Sequence, residues 1–333
     1  MPGVSAAVVL PDGTLWSGVR GRAEVEAARN VTPRTLFAAG SVTKTYLAAL
    51  VMKLAEQGKL SLDDPLVRWV PMFPRSRKIT VRQLLNHTAG TKDFLDSPSL
   101  QAAVARFSRA LRNGERPRWT PEKTISFVHG SAGVPGRAWR YSNTDYILLG
   151  IIIRAVSRTT VARALQTRLL RPRNLSELVL QPDAMPRGPL ARGYTDADGD
   201  GTPEPVRGDL SYLPTRVDAT LAWTAGGLAA TARGLARATD SIFRKRTLTA
   251  ASLAQMTQFV NSSPPYGLGV ANEVVAGVDL WGHYGEINGF QTEMWYLPKQ
   301  KATLVTMTNF NQGGRDGTIR DALLTVLDQE FTP

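Results

Sequence analysis

The stretch FAAGSVTKTYLAAL, Phe37 to Leu50, sets a serine and a lysine three residues apart where a glycine gives way to an apolar-periodic run. Leu47, Leu50, Val51 and Leu54 recur at i, i+3, i+4 and i+7, which predicts an amphipathic helix stopped at Gly58. Residues i and i+3 share a helical face, so Ser41 and Lys44 stand one above the other. A serine in the first turn also lies at the positive end of the helix dipole, which favours a developing alkoxide. Two readings follow. Ser41 is an N-cap and Lys44 a solvated surface residue, or Ser41 is a nucleophile and Lys44 helps deprotonate it.

On the N-terminal side, GVSAAVVLPDGTLWSGVRGRAEV reads as two strands around a turn at Pro11-Asp12-Gly13. Downstream, TVRQLLNHTAG reads as a short helix ending at Gly90, and the chain stays mostly helical from about Leu100 to Leu175. Val179 to Pro214 is rich in Pro, Gly and Asp and predicts short turns packed on the body. Strands return in YGLGVANEVV, LWGHYG, FQTEMWYLP and KATLVTMTNF, and IRDALLTVLDQEF closes as a helix. Strands at both ends with helices between predict an α/β protein. Residues 1–78 and 206–333 would form a discontinuous α/β domain, and 79–205 an inserted, mainly helical one. The cleft between them is the natural place for a site.

Of 333 residues 43% are hydrophobic, enough for a sizeable core. With no cysteine, disulfides, thiolate catalysis and Cys-ligated zinc are excluded. The longest apolar run, Tyr146–Ile153, is too short to span a bilayer. MPGVSAAVVL lacks the basic region of a signal peptide, so a processed or trimmed start is expected. The net charge is +12, and residues 101–175 hold 14 Lys/Arg against three acids, nearly the whole excess. Such a face suits nucleic acid, an anionic membrane or an acidic cell-wall polymer, or is a solvated helical surface written in arginine. No nucleic-acid motif accompanies it.

Two further stretches carry chemistry. Tyr141-Ser142-Asn143 precedes an apolar helix. A phenol is a poor base at neutral pH unless a cation holds its anion, and Lys44 is the candidate cation. Asn143 can donate and accept, so it can hold both Lys44 and a substrate amide. The alternative is a helix start, with Ser142 or Asn143 as its cap. His283-Tyr284-Gly285 lies on an expected strand, where a glycine lets a ligand or backbone approach closely, or marks a bulge.

Taken in order, Ser-x-x-Lys, Tyr-x-Asn and His-x-Gly resemble the serine β-lactamase-like, penicillin-recognising enzymes. The branch resembled holds class C β-lactamases, Streptomyces-type D-Ala-D-Ala carboxypeptidases, D-aminopeptidases and related esterases. The likeness extends through ITVRQLLNHTAG, PGRAWRYSNTDYILLGIIIRAVS, AWTAGGLAATARGLAR and WGHYGEINGF, nearly the whole chain. It implies an antiparallel sheet flanked by helices, and an acyl-enzyme at Ser41 with Lys44 and Tyr141 sharing the general-base role. It also implies Asn143 orienting Lys44 and the acyl amide, and His283 holding the Tyr141 hydroxyl network. The oxyanion hole would be the backbone N–H groups of Ser41 and Glu286. Tyr284, Gly285 and Glu286 would line the substrate strand. No cofactor is implied; a small-molecule or peptide substrate and a secreted, periplasmic or cell-envelope location are. β-Lactamase activity and a weakly active penicillin-binding or anion-binding scaffold are the other readings of the same motifs.

Two places depart from the pattern. Tyr284 is bulky where a small residue is usual, and YGLGVANEVV has no arginine where the carboxypeptidases carry basic residues. With Glu286 nearby, like-charge repulsion would disfavour a free substrate carboxylate, so esters, neutral amides or amine-bearing substrates are expected. His87 reads as a buried, satisfied histidine, and no two of His87, His129 and His283 lie at i, i+4 spacing. Asp196, Asp198, Asp200 and Gly201 begin like a calcium loop, but the twelfth place is Arg207, so a surface turn is expected and no metal.

Overall fold

The computed structural model describes residues 2–173, 175, 177–207, 211–244, 246–311 and 317–331. Seven strands build one antiparallel sheet: β1 (Gly3–Val9), β2 (Leu15–Glu24), β3 (Arg29–Asn30), β4 (Ala271–Val275), β5 (Val278–Ile287), β6 (Phe290–Leu297) and β7 (Ala302–Thr308). Their order is β3-β2-β1-β7-β6-β5-β4, so the two ends of the chain meet where β1 pairs with β7, Val4 opposite Thr308. Covered strands need apolar residues on both faces. β6 and β7 have them, and every residue of both is buried.

The longer helices are α1 (Thr43–Glu56), α2 (Pro98–Arg112), α3 (Asn143–Ser157), α4 (Arg216–Gly226), α5 (Ala232–Phe243) and α6 (Thr318–Phe331). Helix α5 packs against β1, β6 and β7, and α6 against β7. Starts follow capping chemistry: Ser97 accepts from the Leu100 N–H ahead of α2, and Thr80 and Gln83 form a capping box for the turn Val81–Leu85.

Three expectations on local structure need correction. Helix α1 is buried on every side from Thr43 to Met52, where a one-sided amphipathic helix was expected. Small side chains at Ala48 and Ala49 let neighbours close over the face that the pattern left open. The helix begun at Val81 stops at Leu85 instead of Gly90. Beyond it His87 takes φ +61, and Thr91 and His87 turn inward to hydrogen-bond Asp145 of α3. In YGLGVANEVV the strand begins only at Ala271, because Gly269 turns the backbone with φ +70. Val179 to Pro214 holds short strands, Tyr194–Thr195 paired with Glu204–Pro205. No described helix is long and apolar enough to cross a membrane.

Candidate active site

Ser41 lies in a single 3-10 turn, Gly40–Val42, that feeds α1. No side chain caps either helix start, so the Ser41 hydroxyl is free of that role. It meets Lys44 Nζ at 2.9 Å and the Tyr141 hydroxyl at 2.8 Å. Lys44 is fully buried, which removes the reading of a solvated surface lysine. Its Nζ also reaches Asn143 Oδ1 at 2.9 Å and the Ala225 carbonyl at 2.7 Å.

Each partner is placed by a local device. Asn143 opens α3, and its backbone N–H and Nδ2 both donate to Asp93 Oδ2 at 2.8 Å. That grip leaves Oδ1 toward Lys44. Ala225 lies just past Trp223, whose φ of +33° and ψ of −116° break α4. The Trp223 indole N–H holds Asp183 at 3.1 Å, anchoring the break. Backbone strain of this kind costs about 1–3 kcal/mol and persists only where surroundings fix it. The Gly150 position of α3 faces the same place: a Cβ there would lie 2.4 Å from Thr224 Oγ1 and 2.6 Å from the Trp223 ring. The close crossing brings α3 and α4 together on Lys44.

Strand β5 comes in from the sheet. A Cβ on Gly285 would lie 2.1 Å from the Ala39 carbonyl oxygen, so only glycine lets β5 pass the Ser41 turn. His283 Nδ1 faces the Tyr284 carbonyl, which can only accept, so Nδ1 carries a proton. Nε2 then accepts from the Tyr266 hydroxyl at 2.9 Å. His283 stands beside Tyr141, ring centroids 6.2 Å apart, while the Tyr141 hydroxyl donates to Ser41. Glu286 accepts from the Tyr284 hydroxyl at 3.0 Å and from Asn311 Nδ2 at 2.8 Å.

Burial sets the electrostatics. It pulls the Lys44 ammonium from its usual 10.5 down to about 7, against the charges of Asp93 and Asp145, which hold it up. The Tyr141 phenol moves the other way, raised by burial and by the same two carboxylates, with the Ser41 contact opposing. Lys44 Nζ sits over the Tyr141 ring face, 4.8 Å from the centroid, and reaches the same Ser41 oxygen as the Tyr141 hydroxyl. Beneath them, Asp145 Oδ2 meets His87 Nδ1 at 2.9 Å, and burial drives both toward their neutral forms. His87 is buried as expected, but its Nε2 finds no hydrogen-bond partner.

A cleft of about 280 Å³ opens beside Ser41. Phe94, Leu95, Leu221 and Ile287 give it apolar walls, Asp218 and Glu286 bring carboxylates, and among the described residues no arginine or lysine lines it. Sequence reasoning missed Asp93, Asp145, Asp218 and Tyr266. Asp145, two residues after Asn143, was the one within reach of a motif.

Away from the cleft, Asp196, Asp198, Asp200 and Glu204 bring carboxylate oxygens within 4.8 Å of one another. Glu204 enters at the ninth loop place, which a search of the twelfth overlooked. Exposed acids cluster in this way without an ion, and none is assigned.

A buried lysine touching a helix-start serine, a phenol on the same oxygen and a glycine-bearing strand alongside define a serine hydrolase of the penicillin-recognising kind. The chain matches the Beta-lactamase family over residues 1–328 and belongs to it. It is 26% identical to Esterase EstB of Burkholderia gladioli, covering 96% of this chain and 89% of the esterase. It is 29% identical to Penicillin-binding protein 4* of Bacillus subtilis, but over 47% of this chain and only 33% of that protein. A D-stereospecific amidohydrolase from Streptomyces sp. superposes with a TM-score of 0.81 at 27% identity, covering 99% of this chain and 94% of the other.

Proposed function

We propose that the protein hydrolyses D-amino-acid amides, short D-peptides or small esters through an acyl-enzyme at Ser41, and that it prefers substrates carrying an ammonium group near the scissile bond. The observation that carries the reading is the Ser41 hydroxyl held between Lys44 Nζ at 2.9 Å and Tyr141 at 2.8 Å. The names of the esterase and the D-stereospecific amidohydrolase support the substrate class.

With Lys44 near 7, a large share of the enzyme holds a neutral amine at neutral pH. That amine keeps its donations to Asn143 and Ala225 and turns its lone pair to the Ser41 O–H, while Tyr141 donates to the same oxygen. As Ser41 Oγ bonds to the carbonyl carbon, its proton passes to Lys44. The backbone N–H groups of Ser41 and Glu286 take the oxyanion. When the bond to the leaving group breaks, Tyr141 supplies that group's proton and Lys44 restores the phenol. Water then attacks the acyl carbonyl, giving its proton back through the same pair and freeing Ser41. His283 and Tyr266 act on Tyr141 by packing, as positioning residues.

Asp218 and Glu286 favour a cation in the cleft and disfavour a free carboxylate there. Burial raises the Asp218 carboxyl, opposed by Thr215 and Asn288, and an ammonium partner would restore its charge. The test compares kcat/KM for D-phenylalanine amide, its N-acetyl derivative and a free-acid D-alanyl-D-alanine peptide. The free amine is expected to lead, and Asp218→Asn to erase roughly tenfold of that lead. A lead by the free-acid peptide would overturn the preference.

A further inference from the structure

Outside the cleft, guanidinium groups gather around two adjoining cavities. One, of about 580 Å³, is lined by Arg171, Arg173, Arg237 and Arg246, with Val9 and Gly13 from the β1–β2 hairpin. The other, of about 430 Å³, is lined by Lys53, Arg168 and Arg173. They share Pro172 and Arg173 as a common wall, and neither shares a residue with the catalytic cleft. The acid in this region, Asp240, is taken by Arg244 and Arg246 at 3.6 and 3.7 Å, and Lys53 is paired with Glu56. Arg168, Arg171, Arg173 and Arg237 have no carboxylate partner among the described residues, and Arg168 Nε is buried without a hydrogen bond.

We infer that this double cavity is a second binding site, for a linear phosphate polymer. Like charges crowded round a concavity repel one another and focus a positive field into it, and an anion relieves both. Arginine forks match phosphate oxygens in pairs. Three unpartnered guanidiniums on one cavity offer more donors than the two oxygens of a carboxylate accept, and a phosphate presents more acceptors in a tetrahedral array. The shared Arg173 wall lets one chain place successive phosphates in both cavities. The basic excess read from residues 101–175 thus acts where its last members, Arg168, Arg171 and Arg173, meet Arg237 from α5. The site lies apart from Ser41, so bound polymer would tether the enzyme without filling its cleft.

The test is calorimetric titration with sodium tripolyphosphate and with long-chain polyphosphate, at two salt concentrations. The proteins are the parent, an Arg171→Ala/Arg173→Ala/Arg237→Ala variant, and an Arg106→Ala/Arg109→Ala/Arg112→Ala variant that loses the same charge from α2. All six positions are exposed, and ester hydrolysis is expected to be equal in the three proteins. The parent and the α2 variant should bind alike, the long chain more tightly than tripolyphosphate, with affinity falling as salt rises. The cavity variant should lose at least about tenfold. Equal loss in both variants, absence of binding to the parent, or tighter binding of polyglutamate, duplex DNA or anionic vesicles than of polyphosphate at the same salt would each overturn the assignment.

Discussion

Lys44 is the residue on which the proposed chemistry turns. Three acceptors surround its Nζ, yet burial outweighs them and leaves the ammonium near 7. In the proposed mechanism the active form is the neutral amine, so kcat/KM for a neutral ester should rise about tenfold per pH unit below about 7 and level off above it. Lys44→Arg keeps a permanent charge and should stay near background throughout. A profile flat from pH 5 to 8 in the parent would contradict the assignment. The residues proposed to carry this chemistry stood out in the sequence because each motif is local: Ser41 with Lys44, Tyr141 with Asn143, His283 with Gly285. What was not legible is what tunes them. Asp93 comes from a loop with no motif of its own, and the Ala225 carbonyl is backbone, to which side-chain patterns are blind. The upward shift of the Tyr141 phenol was not legible either, because its first cause is burial, which no local pattern records.

At the scale of elements, the site is an intersection. Helix α1 brings Lys44, α3 brings Asn143, the break in α4 brings Ala225, and β5 passes the Ser41 turn at Gly285. The crossing of α3 on α4 at Gly150 leaves no room for a Cβ. Gly150→Ala should push the two helices apart, destabilise the fold by about 1–3 kcal/mol and lower kcat more than it raises KM. Urea unfolding and steady-state kinetics on the one variant read both, and an unchanged midpoint with unchanged kcat would refute the account of the crossing. The strands of the hairpin and the late sheet were readable from alternation and apolar runs. The helix at Val81 was overextended because the pattern does not mark its end, where buried hydrogen bonds from His87 and Thr91 to Asp145 replace the helical ladder. The kink at Trp223 left no signal, since neither Gly nor Pro marks it.

At the scale of the molecule, a main core joins the sheet to the helices, and a second, smaller cluster with Leu280, Trp295, Leu304 and Leu324 lies beside it. Val9 of β1, Leu50 of α1, Leu100 and Phe107 of α2, Ile152 of α3 and Met307 of β7 belong to a single contiguous cluster. Far-UV circular dichroism, fluorescence of Trp223, which is buried in that main cluster, and ester hydrolysis should therefore be lost together in urea. Separated midpoints would show that the helices between the sheet's halves unfold on their own. The α/β class was readable from strands at both ends. The order that places β1 beside β7 rests on pairing across the whole chain, which no local pattern records.

The central claim is the covalent step at Ser41, and it is tested by mass. The parent and Ser41→Ala are mixed with a fluorescent penicillin and with an activated D-alanyl ester, quenched in acid within seconds, and mapped by peptide mass spectrometry. An acyl group on the peptide containing Ser41 in the parent, and none in the variant, is the expected result. Ester turnover by the Ser41→Ala protein at the parent's rate, or an adduct on any other residue, would contradict it.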